Sequence, residues 1–564
     1  MTDTSILDPQ LALSDDVRKE LARAANAAES WEIATWPTTR GTFHERVIAA
    51  KRAVQQLEQQ LSSLPASPAN ADPNLIALLD LRATPRLLRS GVSAVSNRPK
   101  DLEELPRVVL PGQKDEPRIA TVAAAYLRAV KGDFSAPTFT AFVRTLQAND
   151  PFTVKELWAV PAFLRFCLVE IILDDAFRAL QNPSAAANSL LAAQFTSLRG
   201  IANTDWLSIV EPLIVLDGVL VQDPAGTYQY MDFETREVYR KRIAFIARHS
   251  DCTENEVAQA VLELARESAK HVSEDPRIQR RRSHVGYYLI DKGYSQLAAQ
   301  VNFHPRIYDR IRAAIRANAD DFYITGIELI TIFFIAAALF PLLPNFPVFG
   351  RLAIAFVLMI LPAMQCAVEL VNNSVTAIFD PEPLPKMDFS KGIPDECATL
   401  VAVPTLLLKE KQVRELVTEL EVRFLANRDR NLHFALLTDL PDSVSKSQAN
   451  DSNPLVDLAA NLIDELNAKY ASTRGGAFLL LHRHRMFNVR QGVWMGWERK
   501  RGKLHELNRW LRGDTATSFL DPGVPPTRIR YVITLDADTR LFRGAAYRLV
   551  GAMAHPLKIG RAHV

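Results

Sequence analysis

At 564 residues and 63.0 kDa the chain exceeds one ordinary domain and has room for roughly three or four. Its 48% hydrophobic and 23% charged residues exclude wholesale disorder and low-complexity architectures. Sixty-six Lys+Arg against sixty-four Asp+Glu leave a formal charge of +2, too balanced for nucleic-acid binding by bulk charge, so any attraction for anions is local.

The first thirty residues contain Asp3, Asp8, Asp15, Asp16 and Glu20 and no continuous apolar run, so no signal peptide is expected and this end should stay cytosolic. Residues 1–320 read as a helical cytosolic region. Ser14–Ala27 and Thr42–Leu64 repeat apolar residues at three- and four-residue spacing, and Ser14 with Asp15 and Asp16 offers an N-cap. Breaks fall at Leu64–Pro73, at Leu105–Glu116 and at Asp223–Gly226. No fixed internal period stands out, and the plain reading is a scaffold. Cys167, Cys252, Cys366 and Cys397 lie far apart without a CxxC, which argues against structural zinc or a disulfide framework.

Residues 321–372 read as a transmembrane helix hairpin. Tyr323–Leu343 carries only Glu328 as a charge, and Leu352–Val368 is a second apolar run after Pro344, Pro347 and Arg351. Each approaches the roughly 20 residues needed to cross a hydrocarbon core. Pro362 and Gln365 in the shorter second run keep open a pair of buried helices in a soluble domain. Arg306, Arg310, Arg312 and Arg316 precede the first run, so the positive-inside rule puts both soluble regions on the cytosolic side of a lipid bilayer. Glu328 either faces a neighbouring helix or sits at headgroup level.

From about Glu396 strands and helices alternate. Thr399–Leu407, Leu432–Thr438, Ala477–Leu481 and Ile529–Leu535 read as strands. Lys409–Asn427, Leu455–Tyr470, Lys503–Leu511 and Ala545–Met553 read as helices. This alternation predicts a mostly parallel sheet with ligands bound beyond the carboxyl ends of its strands.

The sharpest constellation is Thr534-Leu-Asp536-Ala-Asp538, an apolar strand feeding two carboxylates. Such a pair offers hard oxygen ligands to Mg²⁺ or Mn²⁺ against a diphosphate; the competing reading is a turn or a helix cap. Asp439 ends an earlier strand, where it either accepts bonds from a uracil or ribose edge or turns the chain before Pro441. Arg499, Lys500, Arg501 and Lys503 surround Gly502 at a loop-to-helix boundary, which suits phosphate or a solvated basic loop. Trp494 and Trp497 either stack on sugar or pack at a domain edge.

Taken in chain order, these cues point to a nucleotide-sugar-binding glycosyltransferase of the GT-A kind. Val401-Ala-Val-Pro-Thr405, Phe434–Asp439, the Trp494–Asn508 block and Tyr531–Arg540 resemble the cyclic β-1,2-glucan synthase family of bacterial inner membranes. Upstream, Glu156–Ala159, Met231–Arg236 and His284–Gly293 resemble that family's amino-terminal region, so the likeness covers about residues 130–557. Phe487 and Val489 depart from the tryptophan and proline expected there.

The resemblance implies an incomplete α/β GT-A-like domain over 396–557, in a multi-pass membrane enzyme that uses UDP-glucose to extend a growing β-1,2-glucan by inversion. It implies that Asp439 contacts uridine, that Asp536 and Asp538 meet the metal (Mg²⁺ or Mn²⁺) and diphosphate, and that Lys503 and Asn508 belong to the same nucleotide-sugar site. No catalytic base is visible; it is expected beyond Val564. Residues 558–564 look like a non-native tail, so a fragment inactive on its own is expected. The alternative reading is a non-catalytic membrane protein whose helical region binds partners and whose GT-A half is vestigial.

Overall fold

The computed structural model describes residues 15–28, 31–34, 42–63, 73–96, 105–109, 116–148, 150–181, 190–271, 273, 275–340, 349–379, 381, 383–445, 453–471, 478–526 and 528–558. The Ser14 cap, the turn with Pro344 and Pro347, and tail residues 559–564 lie outside these. Packing divides the chain into two units, Met1–Leu220 with Thr253–Ala258, and Val221–Cys252 with Gln259–Val564.

The first unit is helical, as its periodicity predicts, around the 28-residue helix α1 (Val154–Gln181). Leu157, Phe163, Leu164, Phe166, Leu168 and Ile172 bury themselves along α1. Buried Glu156 in its first turn takes both arms of Arg118, at 2.7 and 2.6 Å. The sequence reading missed a small antiparallel sheet, β1 (Glu32–Ala34), β2 (Arg107–Val109) and β3 (Glu116–Pro117). Two- and three-residue strands are too short to show an alternation.

In the second unit, α2 (Ala319–Leu339) and α3 (Phe349–Ile378) pack on one another and are long and apolar enough to cross a membrane. Only 6% and 17% of their most apolar stretches are buried, which is not the burial of core helices in a soluble domain. The second helix continues past Val368 to Ile378, and Asn372 in this extension accepts a bond from the Tyr323 hydroxyl at 2.9 Å.

The α/β part follows. Its strands are β4 (Thr399–Leu406), β5 (Leu432–Asp439) and β6 (Phe478–His482), with helices α4 (Glu410–Ala426) and α5 (Pro454–Tyr470) between them. A short antiparallel hairpin, β7 (Met486–Asn488) and β8 (Val493–Met495), leads into α6 (Arg499–Leu511). Then come β9 (Tyr531–Thr534) and α7 (Ala545–Ala554).

The described strands form a parallel sheet in the order β6-β5-β4-β9. Alternation along each strand sorts the core. Val401, Val403, Phe434 and Leu436 face α4 and α5, whereas Leu400, Ala402, Ala435 and Leu437 join Leu507 and Trp510 of α6. The chain adds β5 and β6 on one side of β4 and β9 on the other. The order therefore reverses between β4 and β9, the crevice where open parallel sheets bind ligands.

The break read at Asp223–Gly226 is the hub of a buried network in this unit. Asp223 Oδ2 lies 2.7 Å from His284 Nδ1, and Asp223 accepts from the amides of Val285, Thr227 and Tyr228 at 3.1, 3.2 and 3.3 Å. His284 Nε2 meets the Tyr239 hydroxyl at 2.8 Å. Burial alone would raise the Asp223 pKa, but the His284 charge and these bonds hold it below the usual carboxylate range. We expect Asp223→Ala to destabilise this unit by about 3–5 kcal/mol in denaturant unfolding of the detergent-solubilised chain, since it strands a buried imidazole and several amides. The stabilisation should be complete above the unfolded carboxylate pKa of about 3.9 and vanish as pH falls through the lower folded value.

Candidate functional site

Sequence alone brings five residues to this site, Asp439, Lys503, Asn508, Asp536 and Asp538; the structure sets four of them in two layers. The inner layer is a buried ion cluster at the carboxyl end of β5. Asp439 receives Arg483 Nε on one oxygen and Nη2 on the other, both at 2.8 Å, and Lys503 Nζ at 3.1 Å. Lys503 also donates to the Thr405 carbonyl near the end of β4. Burial lowers the Lys503 pKa from its ordinary value, and the Asp439 charge opposes that shift.

Arg483 extends the cluster into the next loop. Its guanidinium donates to the carbonyls of Trp497 at 2.9 Å and Arg499 at 3.1 Å, with Glu506 of α6 at 3.7 Å. A fork with five donors suits this shared task. Two glycines let the segments close up. A Cβ on Gly496 would stand 2.6 Å from the Asp439 carboxyl carbon, and one on Gly502 would stand 1.9 Å from the Trp497 carbonyl oxygen. Between them Glu498 and Arg499 take φ of 44° and 45°, a left-handed conformation that costs a non-glycine residue about 1–3 kcal/mol and that the Arg483 bonds hold in place.

This geometry corrects one boundary. The basic cluster does not precede a helix starting at Lys503; α6 starts at Arg499, so Lys500, Gly502 and Lys503 lie inside its first turns. Asn508 lies further along α6 and is exposed.

The outer layer is the carboxylate pair. Asp536 and Asp538 follow β9 directly, both exposed, with the Asp536 carbonyl accepting from Thr539 N at 3.0 Å in a turn. Lys500 pairs with Asp536. Beneath the turn, buried Arg423 of α4 donates to the carbonyls of Ala537 at 2.6 Å and Thr539 at 2.8 and 3.1 Å. Asn427 reaches the Leu541 and Phe542 carbonyls at 3.3 and 3.1 Å. The loop is thus pinned by its backbone, which leaves both carboxylates exposed, Asp536 with Lys500 as its partner.

Among the described residues no group of three or more His, Cys, Asp or Glu side chains converges as a protein-only metal cage. Two exposed carboxylates fit the other mode, in which Mg²⁺ takes one or two carboxylates and completes its shell with substrate phosphates and water. Arg483 and Arg423 were invisible to sequence reasoning. The one faint signal is that Arg483 directly follows an apolar strand.

The first turns of α6 therefore touch the ends of three neighbouring strands: β4 through Thr405, β5 through Asp439, and the turn after β9 through Asp536. No family model matches the chain. Among curated proteins it is 37% identical over 391 residues to the cyclic β-(1,2)-glucan synthase NdvB of Rhizobium meliloti (strain 1021). The match covers 68% of this chain and 14% of that relative, so the chain spans a small part of the relative's length.

Replacing Arg483 by lysine keeps the charge but cannot serve both Asp439 oxygens and two carbonyls at once. We expect Arg483→Lys to speed amide hydrogen exchange over residues 496–503 by about tenfold or more, equivalent to ~1.4 kcal/mol of local stability, with β4 and β5 little changed.

Proposed function

This chain belongs to the cyclic β-1,2-glucan synthase family, and on that premise we propose that its α/β part binds UDP-glucose as the donor site of an inverting, membrane-bound glucosyltransferase that makes cyclic β-1,2-glucan. The observation that carries this reading is the meeting of the α6 cations and the Asp536–Asp538 pair at the point where strand order reverses. Such a crevice suits a nucleoside diphosphate: a cationic helix start for phosphate oxygens beside carboxylates for a cation.

In this reading Asp536 and Asp538 hold Mg²⁺ or Mn²⁺, which when bound offsets the diphosphate charge. Lys500, which pairs with Asp536 at the start of α6, would lie within reach of a phosphate oxygen. Asp439, buried with both oxygens engaged, acts as a positioning residue that sets Lys503 and the 496–499 loop at the nucleotide's edge.

The measurement is titration of UDP with and without Mn²⁺. Either Asp536→Asn or Asp538→Asn should cut the metal-dependent part of UDP affinity about tenfold, because each removes one charge while keeping size. A capping role predicts no change, since asparagine caps as well as aspartate. Unchanged metal-dependent binding in both variants sinks the donor-site reading.

The α2–α3 hairpin would anchor the protein in the bacterial inner membrane, with both flanking regions in the cytosol, where UDP-glucose is found. Arg312 and Arg316 stack on Phe379, at 5.4 and 5.6 Å, and so gather charge at one end of the hairpin. Reporter fusions at Asn345 and Lys391 should give opposite topologies, and matching signals would rule the hairpin out.

A further inference from the structure

We propose that the cleft between hairpin β7–β8 and the first turn of α6 is a binding site for a neutral oligosaccharide, the acceptor glucan of the reaction proposed above, on which this assignment rests. The cleft holds about 800 Å³, within the roughly 300–1,000 Å³ of small-molecule sites. Its apolar lining comes from Met486, Phe487, Val489, Met495 and Trp497.

The two aromatic rings are displayed rather than buried. Phe487 is 49% exposed on a three-residue strand too short to build a core of its own, and Trp497 is 42% exposed in the turn between β8 and α6. Each is steadied from one side. Phe487 leans on Trp494 with ring centres 5.4 Å apart, and Trp497 meets His505 at 5.9 Å. The left-handed turn at Glu498 and Arg499, anchored by Arg483, fixes the position of Trp497. Exposed rings held firmly offer flat apolar faces, and the C–H face of a pyranose is the matching surface.

The polar lining suits a sugar. Three arginines reach the cleft: Arg501 pairs with Glu498 at 2.7 Å, Arg499 pairs with Asp442 at 2.9 Å, and Arg490 comes from the turn of the hairpin. With Glu498, Asn488 and Gln491 beside them, they present several donors and acceptors to hydroxyls. Position argues for the acceptor. Arg499 and Arg501 line the cleft, whereas Lys500 between them turns to Asp536. The first turn of α6 thus borders the cleft and also reaches the carboxylate pair, so a chain end lying in the cleft would sit beside a sugar carried on the diphosphate.

The test uses the full chain in detergent, titrated separately with a linear β-1,2-linked gluco-oligosaccharide and with UDP plus Mn²⁺. The parent should bind both. Phe487→Ala should weaken the oligosaccharide about tenfold and leave UDP affinity within about twofold; Trp497→Ala should weaken the oligosaccharide at least as much, and Trp497→Phe, which keeps a flat ring, should recover most of it. A parent that binds UDP but no oligosaccharide overturns the proposal. So does oligosaccharide affinity unchanged in both alanine variants. Loss of UDP rather than oligosaccharide in Phe487→Ala also overturns it, making the cleft a nucleotide platform instead. Ring-dependent oligosaccharide binding in a parent that fails to bind UDP upholds the cleft and sinks only the donor reading.

Discussion

The α/β part depends on one buried carboxylate. Asp439 ends a central strand with both oxygens occupied, one by Arg483 and the other by Arg483 and Lys503. Removing such charges from water costs several kcal/mol each, and the arrangement holds only because the geometry satisfies nearly every donor. Arg483 finds two main-chain carbonyls and Lys503 a third, with Glu506 as a second carboxylate nearby. The cluster therefore ties the ends of β4 and β5 to the loop before α6. Shift any of these segments and a buried donor loses its acceptor. Arg423 performs the same task under the Asp536–Asp538 turn.

The parts legible in the sequence were those whose signal is local. β4 and β5 are buried on both faces and read as continuous apolar runs; Asp536 and Asp538 were legible because the strand feeds straight into them. The anchors were not legible. An arginine within a helix, such as Arg423, or one just past a strand, such as Arg483, reads as a solvated charge until the fold brings carbonyls to it. Gly502 misled in the opposite direction. It reads as a helix breaker, and placed the start of α6 too late; in the structure it lies inside the helix because only a missing Cβ admits the Trp497 carbonyl. The apolar run of the second hydrophobic helix ends at Val368 for a related reason. Glu369, Asn372 and Asn373 interrupt the hydropathy, but Gln365 donates to Glu369 at 3.2 Å and Tyr323 to Asn372, so the helix runs on.

The same distinction organises the site's chemistry. Groups that fix geometry are buried and bond mainly to backbone: Arg423 to the carboxylate turn, Arg483 to the loop, Lys503 to the end of β4. The groups proposed to meet a ligand are exposed and pair with one another, as Lys500 does with Asp536 and Arg501 with Glu498. Exposed pairs of this kind contribute about 0–1 kcal/mol to folding, so a ligand or cation can displace one partner at little loss of stability. The buried cluster cannot be exchanged so cheaply. A site arranged this way keeps its shape while its charges change partners, which is what the proposed donor and acceptor sites would require of it.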